Sequence, residues 1–261
     1  MRYPIVACVL VVACGSPAPE ERTAPSATAP ASSGAEAEIS IDQRLQMGVA
    51  MLQRGKCDRA IAEGFQPAIE AFEREYAGDQ QVIASRASGS GVLMALLTAA
   101  SEQRNAVVVG PDYPDTLYMR AFCEIELRDL GRAETTLRKA LAIMPDDVVY
   151  SCELGHVLQQ RNAQAEAIQV YRAALANADM LDRSGAFAPT PDYPAGVPVF
   201  NGHTIDDWRR RALRGIGYSQ FELGDFQAAE QSYLQVLQID PNDEQAQREL
   251  QLIHQRLQNT I

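Results

Sequence analysis

Tryptophan occurs once in 261 residues, histidine three times and cysteine five, and the 23 basic residues are outnumbered by 34 acidic ones, for a formal charge of -11. The shortage of positive charge argues against a nucleic-acid surface, which needs lysine and arginine gathered along one face. Cys152 and His156 are four apart on one helix face, but no second cysteine pair or close-spaced histidine accompanies them, so no metal is expected. Three catalytic signatures are missing: a Gly-x-Ser-x-Gly elbow, a Walker loop and a His-Glu-x-x-His helix. The run Ser88-Gly89-Ser90-Gly91 lacks the lysine that a phosphate loop requires and reads as a turn before a helix. The expectation is a non-enzyme with no cofactor and no small-molecule substrate. Long apolar runs are absent too. The stretch Ile5 to Ala13 is too short for a folded helix to cross a bilayer.

What the chain does have is a self-similarity of 34 residues in its second half. Ala133 and Ala140 recur as Ala167 and Ala174, and Ala121 recurs as Gly155. Small residues at such a period mark helical hairpins whose backbones approach closely. One hairpin runs from Pro114 to Met144, with Leu117, Ala121, Phe122 and Ile125 on its first helix. Ala133, Leu137, Ala140, Leu141 and Ile143 follow on the second, and Pro145 closes it. The next carries Leu154, Gly155, Ala167, Ile168, Tyr171, Ala174 and Leu175. The last carries Ile216, Gly217, Gly224, Phe226, Ala229, Tyr233, Leu237 and the exit Asp240-Pro241-Asn242. Val236 stands where the second alanine is expected, and Asp179 where the exit proline is expected.

These residues resemble the tetratricopeptide repeat, with Gly217, Ala229 and Pro241, and Ala121, Ala133, Ala140 and Pro145, at the family's small-residue and exit positions. The resemblance implies an all-α, right-handed helical-hairpin solenoid with a C-terminal capping helix over 244–257. An earlier segment, with Met47-Gly48, Gly55-Lys56-Cys57 and Ala60-Ile61 at matching offsets, departs from the pattern at Pro67. It is expected to form a degenerate hairpin completed by a helix over 66–76. The apolar stretch 91–104 is expected to be a helix that caps the array or forms half of a divergent repeat. The expected organisation is a signal segment at 1–13, a tether at 14–38, the degenerate hairpin and cap at 39–110 and two repeats at 111–179. A Pro- and Gly-rich insert at 180–209 and a third repeat with its cap at 210–261 follow. Thr204 to Asp207 reads as a helix start, and Trp208 as the anchor that returns the insert to the array.

The positive start and short apolar run at 1–13 read as a targeting segment. Val11-Val12-Ala13-Cys14 resembles the lipobox of bacterial lipoproteins, which implies acylation of Cys14. The competing match at Cys8 would leave almost no apolar region before it, and an ordinary secretory signal is the alternative. The residues from Gly15 to Glu38 are mainly Pro, Ala, Ser, Thr and Glu, too poor in apolar bulk to collapse. Gly15 is not the acidic residue that marks inner-membrane retention in enterobacterial lipoproteins. The expected location is therefore the cell envelope, lipid-anchored, at the outer membrane facing the periplasm.

The resemblance also implies a peptide-binding groove lined by the first helices of the repeats. Carried over by position, it comprises Tyr118, Phe122, Ile125 and Glu126, then Cys152, His156, Gln159 and Gln160, then Arg211, Arg214, Tyr218, Phe221 and Glu222. Aromatic and arginine side chains supply much of the energy of protein interfaces, and Arg211 with Arg214 could receive an acidic segment. The plainer reading of the aromatics is packing against neighbouring helices. Cys123 and Cys152 fall on adjacent first helices and are a candidate disulfide in an oxidising compartment, with small buried hydrophobes as the alternative. The leading expectation is a membrane-tethered scaffold that binds a peptide or an envelope protein in the groove and assists secretion or envelope or pilus assembly. The second is a structural spacer of an envelope complex that uses its convex face or its insert. The third is a redox or metal role through Cys123, Cys152 and His156.

Overall fold

The computed structural model describes residues 39–78, 80–84, 90–103, 105–183 and 203–258; the signal and tether expected at 1–38 lie outside the described residues. The first described element is α1 (Ile41–Leu52). A continuous helical run follows, made of α2 (Cys57–Arg59), a π-helical turn (Ala60–Phe65) and α3 (Gln66–Glu75). Next come β1 (Gln81–Ile83), α4 (Ser90–Ser101) and β2 (Ala106–Val108). The remaining described elements are helices: α5 (Asp112–Glu126), α6 (Leu130–Ile143), α7 (Val148–Gln160), α8 (Gln164–Arg183), α9 (Ile205–Glu222), α10 (Phe226–Ile239) and α11 (Glu244–Gln258). The architecture is a helical solenoid of stacked hairpins. Among the described residues no helix is long and apolar enough to cross a membrane.

The three later hairpins are punctuated by similar local chemistry. Asp129, Asp147 and Asp225 accept hydrogen bonds from the third backbone N–H of the following helix, which satisfies donors that the helix itself cannot. Pro145 and Pro241 stand just beyond α6 and α10 and prevent their continuation. Four hairpin turns place a left-handed residue at the same repeat position: Gly55, Arg128, Asn162 and Gly224. That conformation ends a helix and turns the chain back.

The small residues are needed because a bulky side chain from the second helix lies directly on the first. A Cβ built at Gly155 would come within 2.6 Å of the Tyr171 ring, and one at Gly217 within 2.7 Å of the Tyr233 ring. In both hairpins the partners are sixteen residues apart, as are Ala121 and Leu137, and the fully buried alanines 167, 229 and 133 come twelve residues after their small partners. Gly48 and Ala60 keep that twelve-residue offset, yet the ring that lies 2.6 Å from a Cβ on Gly48 belongs to Phe65, seventeen residues on. The extra residue is absorbed by the π-turn at 60–65. Pro67 accounts for its position: a proline in a helix lacks an N–H and crowds the carbonyl four residues earlier, here that of Glu63, and a widened turn relieves the clash. The departure from the repeat at Pro67 is thus a one-residue insertion within a complete hairpin.

Two strands that the sequence analysis did not anticipate flank α4. β1 and β2 pair in parallel, Gln81 with Ala106, Val82 with Val107 and Ile83 with Val108, so α4 is the crossover of a small βαβ unit and not half of a divergent repeat. The Ala84 N–H donates to the Ile143 carbonyl at 2.8 Å, fastening this unit to the end of α6.

α8 is twenty residues long because Asp179 stands where a proline would have stopped it, and it runs on to Arg183. The expected insert falls mostly on 184–202, outside the described residues. The chain re-enters through Thr204, whose hydroxyl accepts from the Asp207 N–H while the Asp207 carboxylate accepts from the Thr204 N–H, the reciprocal cap expected at this start. Trp208 on the first turn of α9 is buried in the main core, which runs from Ile69 in α3 to Ile216 in α9. A second core joins Leu213, Ala229, Tyr233 and Val236 to Ala246, Leu250 and Ile253 of α11, so α11 covers the last hairpin.

Candidate interaction face

The first helices α5, α7 and α9 lie side by side, and side-chain contacts between them decide which face residues remain available. Tyr118 is 8% exposed and stacks on Tyr150 with ring centroids 5.3 Å apart, while the Tyr150 hydroxyl donates to Asp115. Cys152 is fully buried, its thiol facing the Trp208 carbonyl at 3.9 Å, and burial pushes that thiol up to about 12. The Gln159 amide donates to the Gly215 carbonyl at 2.7 Å and to the Ser219 hydroxyl at 2.9 Å, and its oxygen accepts from the Tyr171 hydroxyl. Gln159 is therefore a spacer between α7 and α9. Gln160 bonds the His156 ring and accepts from Arg128.

Both arginines expected to receive an external carboxylate are held by internal ones. Arg211 pairs with Glu153 at 2.7 Å, and its guanidinium lies 5.2 Å from the centroid of the Trp208 ring. Arg214 pairs with Asp243, which also accepts from Arg210 at 3.2 Å. Phe221 meets Phe226 edge to face at 5.2 Å and belongs to the edge of the second core. Glu126 and Glu222 are exposed, and Ile125 is half-buried against the main core. What remains is one repeat position occupied in succession by Phe122 on α5, His156 on α7 and Tyr218 on α9, all partly exposed. Sequence reasoning named these three among thirteen residues. It missed Tyr150, Glu153 and Asp243, whose roles depend on which neighbouring repeat they face, a property that no single hairpin reveals.

Cys123 and Cys152 are not bridged, and the geometry opposes it. The equivalent of Cys123 in the second repeat is Val157, and that of Cys152 in the first is Tyr118. The two cysteines thus differ by five repeat positions, roughly 140° around a helix. Cys152 faces forward to α9, whereas Cys123 faces back to the N-terminal hairpin, where it shares a small buried cluster with Cys57, Ala60 and Phe65. The other two histidines have partners: His254 Nε2 lies 2.7 Å from Glu230, and His203 packs edge-on against Trp208 at 5.7 Å. The Trp208 indole N–H is buried without a hydrogen-bond partner among the described residues.

His156 makes the face sensitive to pH. Burial holds its imidazole below the ordinary 6.5, helped by Arg211 and Arg128 and opposed by Glu153. The folded chain therefore takes up the proton less readily than the unfolded chain, and stability is lost as pH falls from 6.5 toward the lowered folded value. Denaturant titrations on either side of pH 6.5 are expected to show this loss, and His156→Gln to flatten it.

Residues 212–243 match the tetratricopeptide repeat. Among solved structures, MamA from Desulfovibrio magneticus RS-1, residue 41 to the end, is 16% identical, with 84% of this chain and 85% of that one covered and a TM-score of 0.52. A MamA RS-1 double mutant is likewise 16% identical over 83% and 84% of the two chains, with a TM-score of 0.52. YrrB, described as a TPR protein with an unusual peptide-binding site, is 14% identical over 82% and 93%, with a TM-score of 0.42. No curated protein matches the chain in sequence. At these identities the likeness to MamA is one of fold, and together with the matched repeat it makes the described chain a helical solenoid that carries a tetratricopeptide repeat at its C-terminal end.

Proposed function

We propose that this chain is a protein-binding scaffold that holds an extended polypeptide segment across α5, α7 and α9, tethered to a membrane through a lipid on Cys14. The observation that carries the reading is the row of Phe122, His156 and Tyr218, three partly exposed rings at one repeat position on three adjacent helices. Rings lose little conformational freedom on binding and bury much area, which suits them as anchors for a partner. The neighbouring carboxylates of Glu126 and Glu222 are exposed and leave room for a basic or polar rim on that partner. The lipobox-like Val11-Val12-Ala13-Cys14 and the following Pro/Ala/Ser/Thr-rich stretch support an envelope location, with a part in secretion or envelope assembly as the setting.

The test is crosslinking in the native envelope with the wild-type chain and with Phe122→Ala, His156→Ala and Tyr218→Ala combined. The captured partner is expected to be lost from the triple variant, with the melting temperature lowered by no more than a few degrees because none of the three rings is fully buried. Undiminished capture would rule out this face. Capture lost only on deletion of 184–202 would transfer binding to the insert. Loss of acyl labelling in Cys14→Ser tests the tether separately.

A further inference from the structure

We propose that Cys57 and Cys123 are a thiol–disulfide pair which, when oxidised, clips the N-terminal hairpin covalently to α5. The two residues come from helices that pack together, α2 and α5, and meet in one small buried cluster with Ala60 and Phe65. The thiols are near enough for each to shift the other's proton affinity. Besides this cluster, packing, the Arg120 to Gln66 hydrogen bond and the exposed Lys139–Glu73 ion pair attach the first hairpin to the array. A bridge here would close a loop of more than sixty residues, long enough for a large reduction in the freedom of the unfolded chain.

The two thiols are not equivalent, which sets the order of events. Burial raises both above the ordinary thiol value, and at Cys57 the neighbouring Cys123 side chain offsets part of the rise. Cys57 also keeps the greater exposure, 6% against 0%. It follows directly on the exposed turn Arg54-Gly55-Lys56. Cys57 is therefore the attacking group. With a low-molecular-weight disulfide such as oxidised glutathione, the Cys57 thiolate attacks one sulfur and one glutathione thiolate leaves. Cys123 then loses its proton to solvent and attacks the Cys57 sulfur, expelling the second glutathione. Two protein thiols and one glutathione disulfide become one protein disulfide and two glutathione thiols. Cys152, on the far side of α7 under Trp208, takes no part.

The experiment incubates the full chain, with Cys8→Ser and Cys14→Ser to remove the outlying thiols, in oxidised glutathione, then alkylates it in denaturant and digests it with trypsin. The expected product is a crosslink between the peptide 57–59 and the peptide 121–128, with Cys152 alkylated in the peptide 140–161. The melting temperature is expected to rise by roughly 10 °C, reversed by dithiothreitol and absent in a further Cys57→Ser variant. Cys152→Ser should leave crosslink and shift intact. Full alkylation of Cys57 and Cys123 after oxidation, or a crosslink that includes Cys152, would overturn the proposal. The pairing does not depend on the binding face. Rapid acid trapping in the producing cell separates it from the envelope reading: a pair that bridges in vitro but is trapped reduced upholds the pairing and counts against an oxidising location.

Discussion

Tyr171→Ala is expected to destabilise the chain by about 4 kcal/mol, the cost of removing a large buried ring whose space the backbone cannot refill. The ring is 3% exposed and is gripped from two sides: a Cβ on either Gly155 of α7 or Gly215 of α9 would collide with it. Two glycine backbones cannot relax inward without moving whole helices, so the cavity persists. The hydroxyl adds a second loss, because it donates to Gln159, whose amide in turn bonds Gly215 and Ser219. Urea unfolding followed by helical circular dichroism measures the change, and the melting temperature should fall by roughly 10 °C for a domain of this size. A cost below about 1.5 kcal/mol would mean that α7 and α9 close over the gap and that the glycines do not fix their separation.

The same contact predicts a coupling. Gly155→Ala alone must push the Tyr171 ring aside and is expected to cost about 2 kcal/mol. Tyr171→Leu copies the Ala121–Leu137 pair of the preceding hairpin, in which an alanine and a leucine meet at the same offset. In the double variant most of the Gly155→Ala penalty should therefore vanish, a non-additivity that a double-mutant cycle reads directly.

The pattern behind these contacts is legible because helix-on-helix packing writes a small residue and a bulky one at fixed offsets, twelve and sixteen residues, in the three later hairpins. Where the offset slips by one, at Phe65, the hairpin reads as degenerate from Pro67 on, since a π-turn changes the register by one residue while a small residue and a ring still meet. The strands of the βαβ unit were missed for a different reason. Gln81-Val82-Ile83 and Ala106-Val107-Val108 are too short to show an alternating pattern, and their pairing brings together segments separated by the whole of α4. The candidate face is legible only as a set of positions. Position fixes which way a side chain leaves its own helix, and Phe122, His156 and Tyr218, which share one position, do remain partly exposed. It does not say what the neighbouring helix offers, and so Tyr118, Gln159, Arg211 and Arg214, which are committed to Tyr150, Gly215, Glu153 and Asp243, were counted as available. The cysteines make the same point: adjacent helices were recognised, but the angular offset between Cys123 and Cys152 was not considered.

Asp243→Ala is expected to cost about 3 kcal/mol, with the loss concentrated at the C-terminal end of the array. The Asp243 side chain is 4% exposed and serves two structures at once. One oxygen accepts the Ala246 N–H at 2.9 Å and caps α11, and the other accepts from Arg210 and Arg214 of α9. Removing the carboxylate takes away a cap, about 1 kcal/mol by itself, and leaves two half-buried guanidinium groups with one fewer partner each. Arg210 still reaches Asp240 at 2.6 Å and Asp207, so Arg214 bears most of the loss. Asp243→Asn keeps an acceptor for the cap and should cost only about half as much. Because α11 belongs to the second core while α5 to α8 belong to the first, amide hydrogen exchange should accelerate in α10 and α11 and stay near wild type in α6 and α7. Uniform acceleration along the chain would mean instead that the solenoid unfolds as a single unit, and that its last hairpin cannot open to a partner independently of the rest.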